Sequence, residues 1–454
     1  MPSDDSALDA RAFESLLDEL LSHARASGAD QADAVVVESR ALDATVRNGE
    51  VEDVERAESR DLGLRVFVGK KTASVSSSDL SGDSLTELAE RAIAMAKASP
   101  DEPWAGLAPE DRLAAGDLPE LDLFDATTPD PKDLEERALA VEAAARAVPD
   151  VTKTDHAWAG WAGSVFRLAT TGGFGGGWRS SSRHFGVAAI AERDGAMERD
   201  FDAHSARHLE DLKSVEEVGA EAGRRAAARL GGAKVKSGKR TVIFENRVAP
   251  ALFNAFAGAI SGPSVARGVS FLKNHHGQQL FAPGVNIVDD PSLVRGRGSR
   301  PFDGEGVRVK RWNVVEDGVL TTWLLNSSSA RQLGLETTGH AARSVGGSPG
   351  VSPSNLWVQP GAQSRDGMIA DIQSGLFVTE MFGPSLNANT GDWSVGVSGF
   401  LIEGGEITSP VSEITVAGNL IDIYGRLQPA DDLDFRGKIN SPSLRVDDLS
   451  VAGQ

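Results

Sequence analysis

The chain is 454 residues long, carries 46 basic against 66 acidic side chains for a formal charge of −20, and contains no cysteine. Such a length suggests roughly three units of ~150 residues, or two larger ones, able to bury a core without covalent staples. The charge argues against a nucleic-acid partner, whose phosphates demand a basic face. The missing cysteine excludes disulfides, thiolate metal ligands and a cysteine nucleophile.

The N-terminal stretch MPSDDSALDARAFESLL is acidic and lacks an apolar h-region. No apolar run approaches the ~20 residues of a membrane span, so neither secretion nor a membrane is expected and cytoplasm is the default compartment. Residues 6–26 read as an amphipathic helix, with Phe13, Leu16, Leu17, Leu20 and Leu21 at three- and four-residue spacing. A β-meander follows: DAVVVES and DATVRNGEVEDVERAE alternate apolar and polar residues around an Asn48-Gly49 turn, and GLRVFVGKKTASVSSS continues it. Leu85, Leu88, Ala89, Ala92 and Ile93 mark a second helix. Residues 99–131 hold six prolines and read as a connector laid over the surface. A helix is expected over 132–148, strands through about residue 203 with a hairpin at Asp194-Gly195, and then the helix SVEEVGAEAGRRAAARLGG, closed by a glycine pair.

The texture changes near residue 233. RTVIFEN reads as a short buried strand and 248–260 as a small helix. Many short strands follow, separated by glycine turns such as Asp317-Gly318 and Gly404-Gly405. The expected fold class is α+β in two domains. Residues 1–232 would form an α/β domain of meander and helices that includes the connector, and 233–454 a β-rich, antiparallel, barrel-like domain.

Several motifs invite a chemical reading that their context weakens. GDSL at 82–85 matches a hydrolase signature, but Ser84 with Glu87 three residues on is a capping box in waiting. TGGFGGGW at 171–178 lacks dinucleotide spacing, SGKRT at 237–241 lacks the rest of a phosphate loop, and flexible turns account for both. His204 and His208 stand four apart without a glutamate between them, and His275-His276 are adjacent, so neither pair makes a persuasive metal site. The segment 324–356 is rich in hydroxyl side chains, yet no G-x-S-x-G singles out a nucleophile.

Blocks in the second half carry a resemblance. RPFDGEGVRVKRWNVVEDGVLTTWLLNSSSARQLGLETTGHAAR, SPSNLWVQPG and GLFVTEMFGPSLNANTGDWSVGVSGFLIEGGEITSPVSEITVAGNL closely resemble the TldD/PmbA family, peptidase-related proteins once described as modulators of DNA gyrase. The first half matches more loosely, in order and spacing of elements. The TldD kind of subunit carries H-E-x-x-x-H on the helix after the first strand of the second domain, with a cysteine near the C-terminus as a third zinc ligand. Here the matching helix reads VAPALFNAFAGAISG. Asn254 and Ala259 fall where the histidines would be, Ala255 replaces the glutamate, and Thr415 occupies the cysteine position. A hydrolytic zinc needs three protein ligands, a water and a base, so this chain resembles the PmbA kind, also called TldE, which lacks the metal.

The resemblance implies a non-catalytic subunit of a cytoplasmic heterodimeric metallopeptidase, with no cofactor on this chain and zinc on a TldD-like partner. Unfolded peptides would be the substrates. Arg331, Thr338, His340, Ser354 and Asn355 are candidate cleft residues that orient peptide carbonyls and carboxylates, or alternatively stabilise loops. Asp303 and Glu305 in DGEG are possible cleft acids, with a capped turn as the simpler role. The alternative reading is a homodimeric peptide-holding module without peptidase activity.

Overall fold

The structure, a computed structural model, describes residues 13–453. The first apolar stripe forms α1 (Glu14–Ala26), which buries Leu17, Leu20, Leu21 and Ala24 on one face. Its expected beginning at residue 6 lies outside the described residues. A meander follows in β1 (Gln31–Arg47), β2 (Glu50–Val68) and β3 (Lys71–Ser77), and then α2 (Gly82–Ala98). Beyond the connector come α3 (Pro131–Arg146), a second meander of β4 (Val151–Thr170), β5 (Gly175–Arg193) and β6 (Ala196–Ala206), and α4 (Val215–Ala228). β1 pairs antiparallel with β4, so the two meanders fuse into one six-stranded sheet ordered β3-β2-β1-β4-β5-β6.

The two-residue period of a strand decides what each face of this sheet meets. Ala32, Ala34 and Val36 of β1 lie under α1 and α2, and Leu42, Ala44 and Val46 lie under α3 and α4. Val35 and Val37 face the other way. They join Leu168, Phe174 and Phe302 in a cluster that fastens the sheet to the second half. The expected turns at Asn48-Gly49, Asp194-Gly195, Asp317-Gly318 and Gly404-Gly405 have positive φ at both residues, as tight two-residue hairpins require. Glu142 of α3, only 1% exposed, clamps the first of them by accepting the Asn48 and Gly49 N–H groups at 2.6 Å each.

Three sequence expectations change. α2 begins at Gly82, after Ser81, so Ser84 already lies in its first turn and forms no capping box. Thr171, Gly172 and Gly173 do turn the chain between β4 and β5, but Gly175, Gly176 and Gly177 belong to β5 and Gly238 opens the first strand of the second half, so the turn reading holds only for the start of the first motif. A Cβ on Gly176 would come within 2.8 Å of the Phe302 ring, which is why that strand position takes no side chain. The connector, finally, is stitched in. Leu121 and Leu123 are buried, Ser181 donates its N–H to Leu123 O at 2.9 Å, and Ala114 N–H reaches Gly306 O at 2.8 Å.

Asp125 anchors this seam. It accepts the Thr127 N–H at 2.9 Å, the Leu209 N–H at 3.1 Å and the Arg183 Nε–H at 3.0 Å. Burial pushes its carboxyl up, but the Thr127 and Leu209 donors outweigh burial and hold it at about 2. A depressed carboxylate stabilises the fold above its unfolded value near 3.8 and loses that contribution as pH falls toward 2. Asp125→Asn should therefore cost about 2 kcal/mol at neutral pH. Denaturant titration at pH 7 and pH 3 should show the gap between variant and parent narrowing at the lower pH.

The second half opens with β7 (Gly238–Phe244), α5 (Pro250–Ala259) and α6 (Gly262–Ala266). Short strands β8 (Ile287–Asp289), β9 (Trp312–Glu316) and β10 (Val319–Leu320) precede α7 (Ser327–Leu333). Then come β11 (Ala341–Ala342), β12 (Gly350–Val351), β13 (Leu356–Val358) and α8 (Arg365–Ala370). Three long strands follow, β14 (Ser374–Leu386), β15 (Asp392–Glu403) and β16 (Glu406–Asn419). The chain ends with α9 (Leu420–Arg426), β17 (Gln428–Pro429), β18 (Ile439–Asn440) and β19 (Leu444–Ala452).

β16, β15, β14, β7 and β19 lie side by side, and pairing of Thr415, Val416 and Ala417 with Ala452, Val451 and Ser450 closes them into a five-stranded barrel. The pairing is antiparallel except between β14 and β7. Alternation again sorts the side chains: Val242 and Phe244 enter the large core, while Ile243 packs outside with Met368 and Ile369 of α8. β10, β9, β8, β13 and β18 form a smaller sheet beside the barrel. Among the described residues, no helix is long and apolar enough to cross a membrane.

Candidate functional site

α5 follows directly from the end of β7, with Pro250 at its first helical position, where a missing N–H costs nothing. Leu252, Phe253 and Phe256 bury its inner face against Phe281 and Tyr424. Its outer side contributes Asn254, Ala257 and Gly258 to an open cleft of about 560 Å³. Ser261, Ser264, Ser352, Pro353, Lys438 and Ile439 complete most of the lining.

The four positions where the resemblance would place a zinc site divide between surroundings. Asn254 is exposed on the cleft wall, Ala255 is half-buried and Ala259 sits in the core. Thr415 is exposed on β16, opposite Gly396 and Ala452. Together they offer one amide, two methyl groups and a hydroxyl. That set does not fit zinc, which takes imidazole, thiolate or carboxylate. Among the described residues, no cluster of three or more His, Cys, Asp or Glu is placed to hold a metal. His204 lies on β6, with Nδ1 accepting the Lys213 N–H at 3.2 Å, whereas the His208 Nε2 meets Asp122 O at 3.0 Å. Burial lowers the His204 pKa further. His276 leans toward the Trp323 ring, 5.5 Å between centroids.

The hydroxyl-rich segment 324–356 turns out to be mostly scaffold. Asn326 caps α7 by accepting the Ser329 N–H at 2.9 Å, and Gly334, with φ of 68°, ends the helix. Thr338, His340, Ser354 and Asn355 do come together, but pointing inward. His340 lies 2.8 Å from Thr338 Oγ1 through Nδ1 and 3.0 Å from Asp289 Oδ2 through Nε2. The same Asp289 accepts the Ser354 N–H at 2.7 Å. Asn355 accepts the Gly298 N–H at 2.7 Å and donates to Asp290 O and Ser299 Oγ at 2.6 and 2.8 Å. His340, Ser354 and Asn355 are each 1% exposed. The side-chain polar atoms of His340 and Asn355 are all engaged internally and Ser354 is held through its N–H, which favours the loop-stabilising alternative for these three.

Thr338 borders a separate hollow with Arg308 and Trp312. Arg331 donates to the backbone oxygens of Trp104, Gly106 and Leu107, so it ties α7 to the connector. Asp303 accepts N–H groups from Glu305, Val307 and Ala341 at 2.9, 2.9 and 3.0 Å, the capped turn expected of DGEG. Burial, and then the Glu305 carboxylate, raise its pKa. Glu305 accepts the Ser327 N–H at 2.8 Å and lies 3.8 Å from Arg65 of β2.

Sequence reasoning missed the basic side of the cleft. Lys438 lines it directly, and Arg300 donates to the carbonyl of Ser352, another lining residue, at 3.1 Å. Arg207 donates to Arg297 O at 2.8 Å, and Arg297 reaches Ser182 Oγ at 3.1 Å. Burial, followed by Arg300, Arg207 and Arg297, depresses the Lys438 ammonium. Burial and then Arg297 lower Arg207 to about 10. The one signal available was RGRGSR at 295–300, with three arginines in six residues of an acidic chain.

A long helix-backed antiparallel sheet, joined to a closed barrel whose first helix walls a cleft, places the molecule among the α+β proteins. Sequence profiles agree: PmbA/TldA metallopeptidase domain 1 matches residues 32–96, the central domain 124–230 and the C-terminal domain 237–453. The chain belongs to the TldD/PmbA family. It is 37% identical to the metalloprotease PmbA of Escherichia coli O157:H7, covering 94% of each chain. It is 34% identical to a PmbA homologue from Haemophilus influenzae, covering 93% of this chain and 92% of that one. Among solved structures, a candidate modulator of DNA gyrase from Bacteroides thetaiotaomicron superposes with a TM-score of 0.89 at 26% identity, over 98% of this chain and 99% of that one. TldE from Thermococcus kodakarensis shares the fold, with a TM-score of 0.86 at 20% identity over 96% of this chain and all of that one.

Proposed function

We propose that this chain is the metal-free subunit of a cytoplasmic two-chain metallopeptidase, pairing with a zinc-bearing TldD-like paralogue to process unfolded peptides. The supporting observation is chemical. The helix that would carry H-E-x-x-x-H instead presents Asn254, Ala255 and Ala259, and Thr415 stands for the cysteine. An alanine cannot ligate a metal or take a proton from water, so this chain's part is to complete and shape the cleft. An extended peptide can be gripped there through its backbone, which tolerates varied sequence.

The reading is tested by purifying the chain alone and together with a H-E-x-x-x-H paralogue encoded in the same genome. The expected result is one zinc per two-chain assembly, cleavage of unfolded peptides by that assembly, and neither property in the isolated chain. About one tightly held zinc in the isolated chain after dialysis would overturn it. A stable homodimer that holds peptides, and neither binds the paralogue nor cleaves, would replace it with the holding-module reading.

A further inference from the structure

We propose that the cleft beside α5 recognises a carboxylate of its peptide, through a basic wall made by Lys438, Arg300, Arg297 and Arg207; this rests on the peptide-cleft reading above and narrows its substrate class. Acidic side chains outnumber basic ones 66 to 46 in this chain, so a basic side chain has carboxylates in ample supply. Arg295, two positions from Arg297, has three, in Asp122, Glu210 and Asp211. Yet none of the four wall residues forms an ion pair among the described residues, and their polar contacts are to backbone carbonyls and one hydroxyl.

Gathering four cations with no carboxylate in ion-pair contact is unfavourable on two counts, desolvation and mutual repulsion, eased at Arg300 only by the more distant Asp303 and Asp289 carboxylates. The Nε atoms of Arg207 and Arg300 are, in addition, buried without a partner. Both penalties are relieved if an anion arrives. The wall opens on the cleft through Lys438 and through Ser352, which Arg300 holds by its carbonyl. A guanidinium fork with an adjacent ammonium suits a planar carboxylate, through charge-assisted hydrogen bonds.

Two sources could bring that carboxylate, an acidic side chain or the peptide's own C-terminus. The chain's global charge of −20 repels both, so any preference for acidic peptide must come from this local site. The test uses four fluorescein-labelled, unstructured twelve-residue peptides, containing either Glu or Gln and ending in either acid or amide. Each is titrated by anisotropy into the chain in its native assembly. The Glu peptides, the free acids or both should bind about tenfold or more tightly than the Gln amide, and the pattern identifies the source. Lys438→Gln and Arg297→Gln should each remove most of that advantage.

Equal binding of all four peptides would overturn the carboxylate site and leave the peptide cleft standing. An acidic preference unchanged in both variants would overturn this location. Binding of none of the four, with no cleavage of any, would overturn the peptide reading itself and this inference with it.

Discussion

Asp33→Ala should destabilise the protein by about 3–5 kcal/mol, the usual cost of stripping one partner from a buried ion pair. Asp33 sits on β1 at 2% exposure. Its Oδ2 accepts the Arg65 Nε–H at 2.6 Å, and its Oδ1 lies 3.0 Å from Arg343 Nη2. The latter contact is too bent to count as a directed hydrogen bond, so it acts as an ion pair. Arg65 belongs to the first half and Arg343 to the second, with side chains 7% and 0% exposed. Without Asp33 the two guanidiniums face each other, and the nearest remaining carboxylate is Glu305, 3.8 Å from Arg65. Denaturant titration followed by tryptophan fluorescence should show the loss, together with a first transition that separates the two halves. A loss under about 1 kcal/mol would mean that water reaches the pair and that the seam is held by Phe174 and Phe302 instead.

Phe256→Ala should be comparably severe, about 3–5 kcal/mol, through an unfilled cavity. The ring is fully buried. It packs edge-on to Phe281 at 5.3 Å and to Tyr424 at 5.8 Å, and Tyr424 donates its hydroxyl to Leu252 O on the same helix at 3.0 Å. Because α5 turns its other side to the cleft, its collapse into the cavity would move Asn254 and Gly258 as well. Peptide affinity of the native assembly should therefore fall with stability. Phe256→Leu, which refills most of the volume, should restore much of both. Loss of stability with unaltered affinity would show that the cleft does not depend on the seat of this helix.

The first half was legible because strand alternation is a local signal. Leu62, Leu64 and Val66 announced a buried face without any knowledge of the partner strand. The positive-φ turns were legible for the same reason, since Asn48-Gly49 carries its conformation in two residues. Long-range facts were not. Nothing local tells that Thr415 meets Ala452, or that β14 runs parallel to β7. The candidate site suffered most, because loops have no period to say which polar atoms face inward. His340 and Asn355 read as cleft residues in sequence and are fully occupied in the structure, while Lys438 and Arg207, 231 positions apart, come near each other only in three dimensions.

Barrel closure sets a timetable for the nascent chain. β19 is the strand that sits between β7 and β16, and among the described residues it is the latest element in chain order. About 200 residues separate it from β7, a delay of about 10–40 s at ordinary translation rates. The six-stranded sheet and its four helices are complete by residue 228, so they can fold while the ribosome is still working. β7 must wait with an unsatisfied edge, exposing Val242 and Phe244 to any passing strand. A message truncated before codon 444 would yield a polypeptide whose first half is native and whose second is an open, adhesive sheet, a natural client for chaperones and proteases.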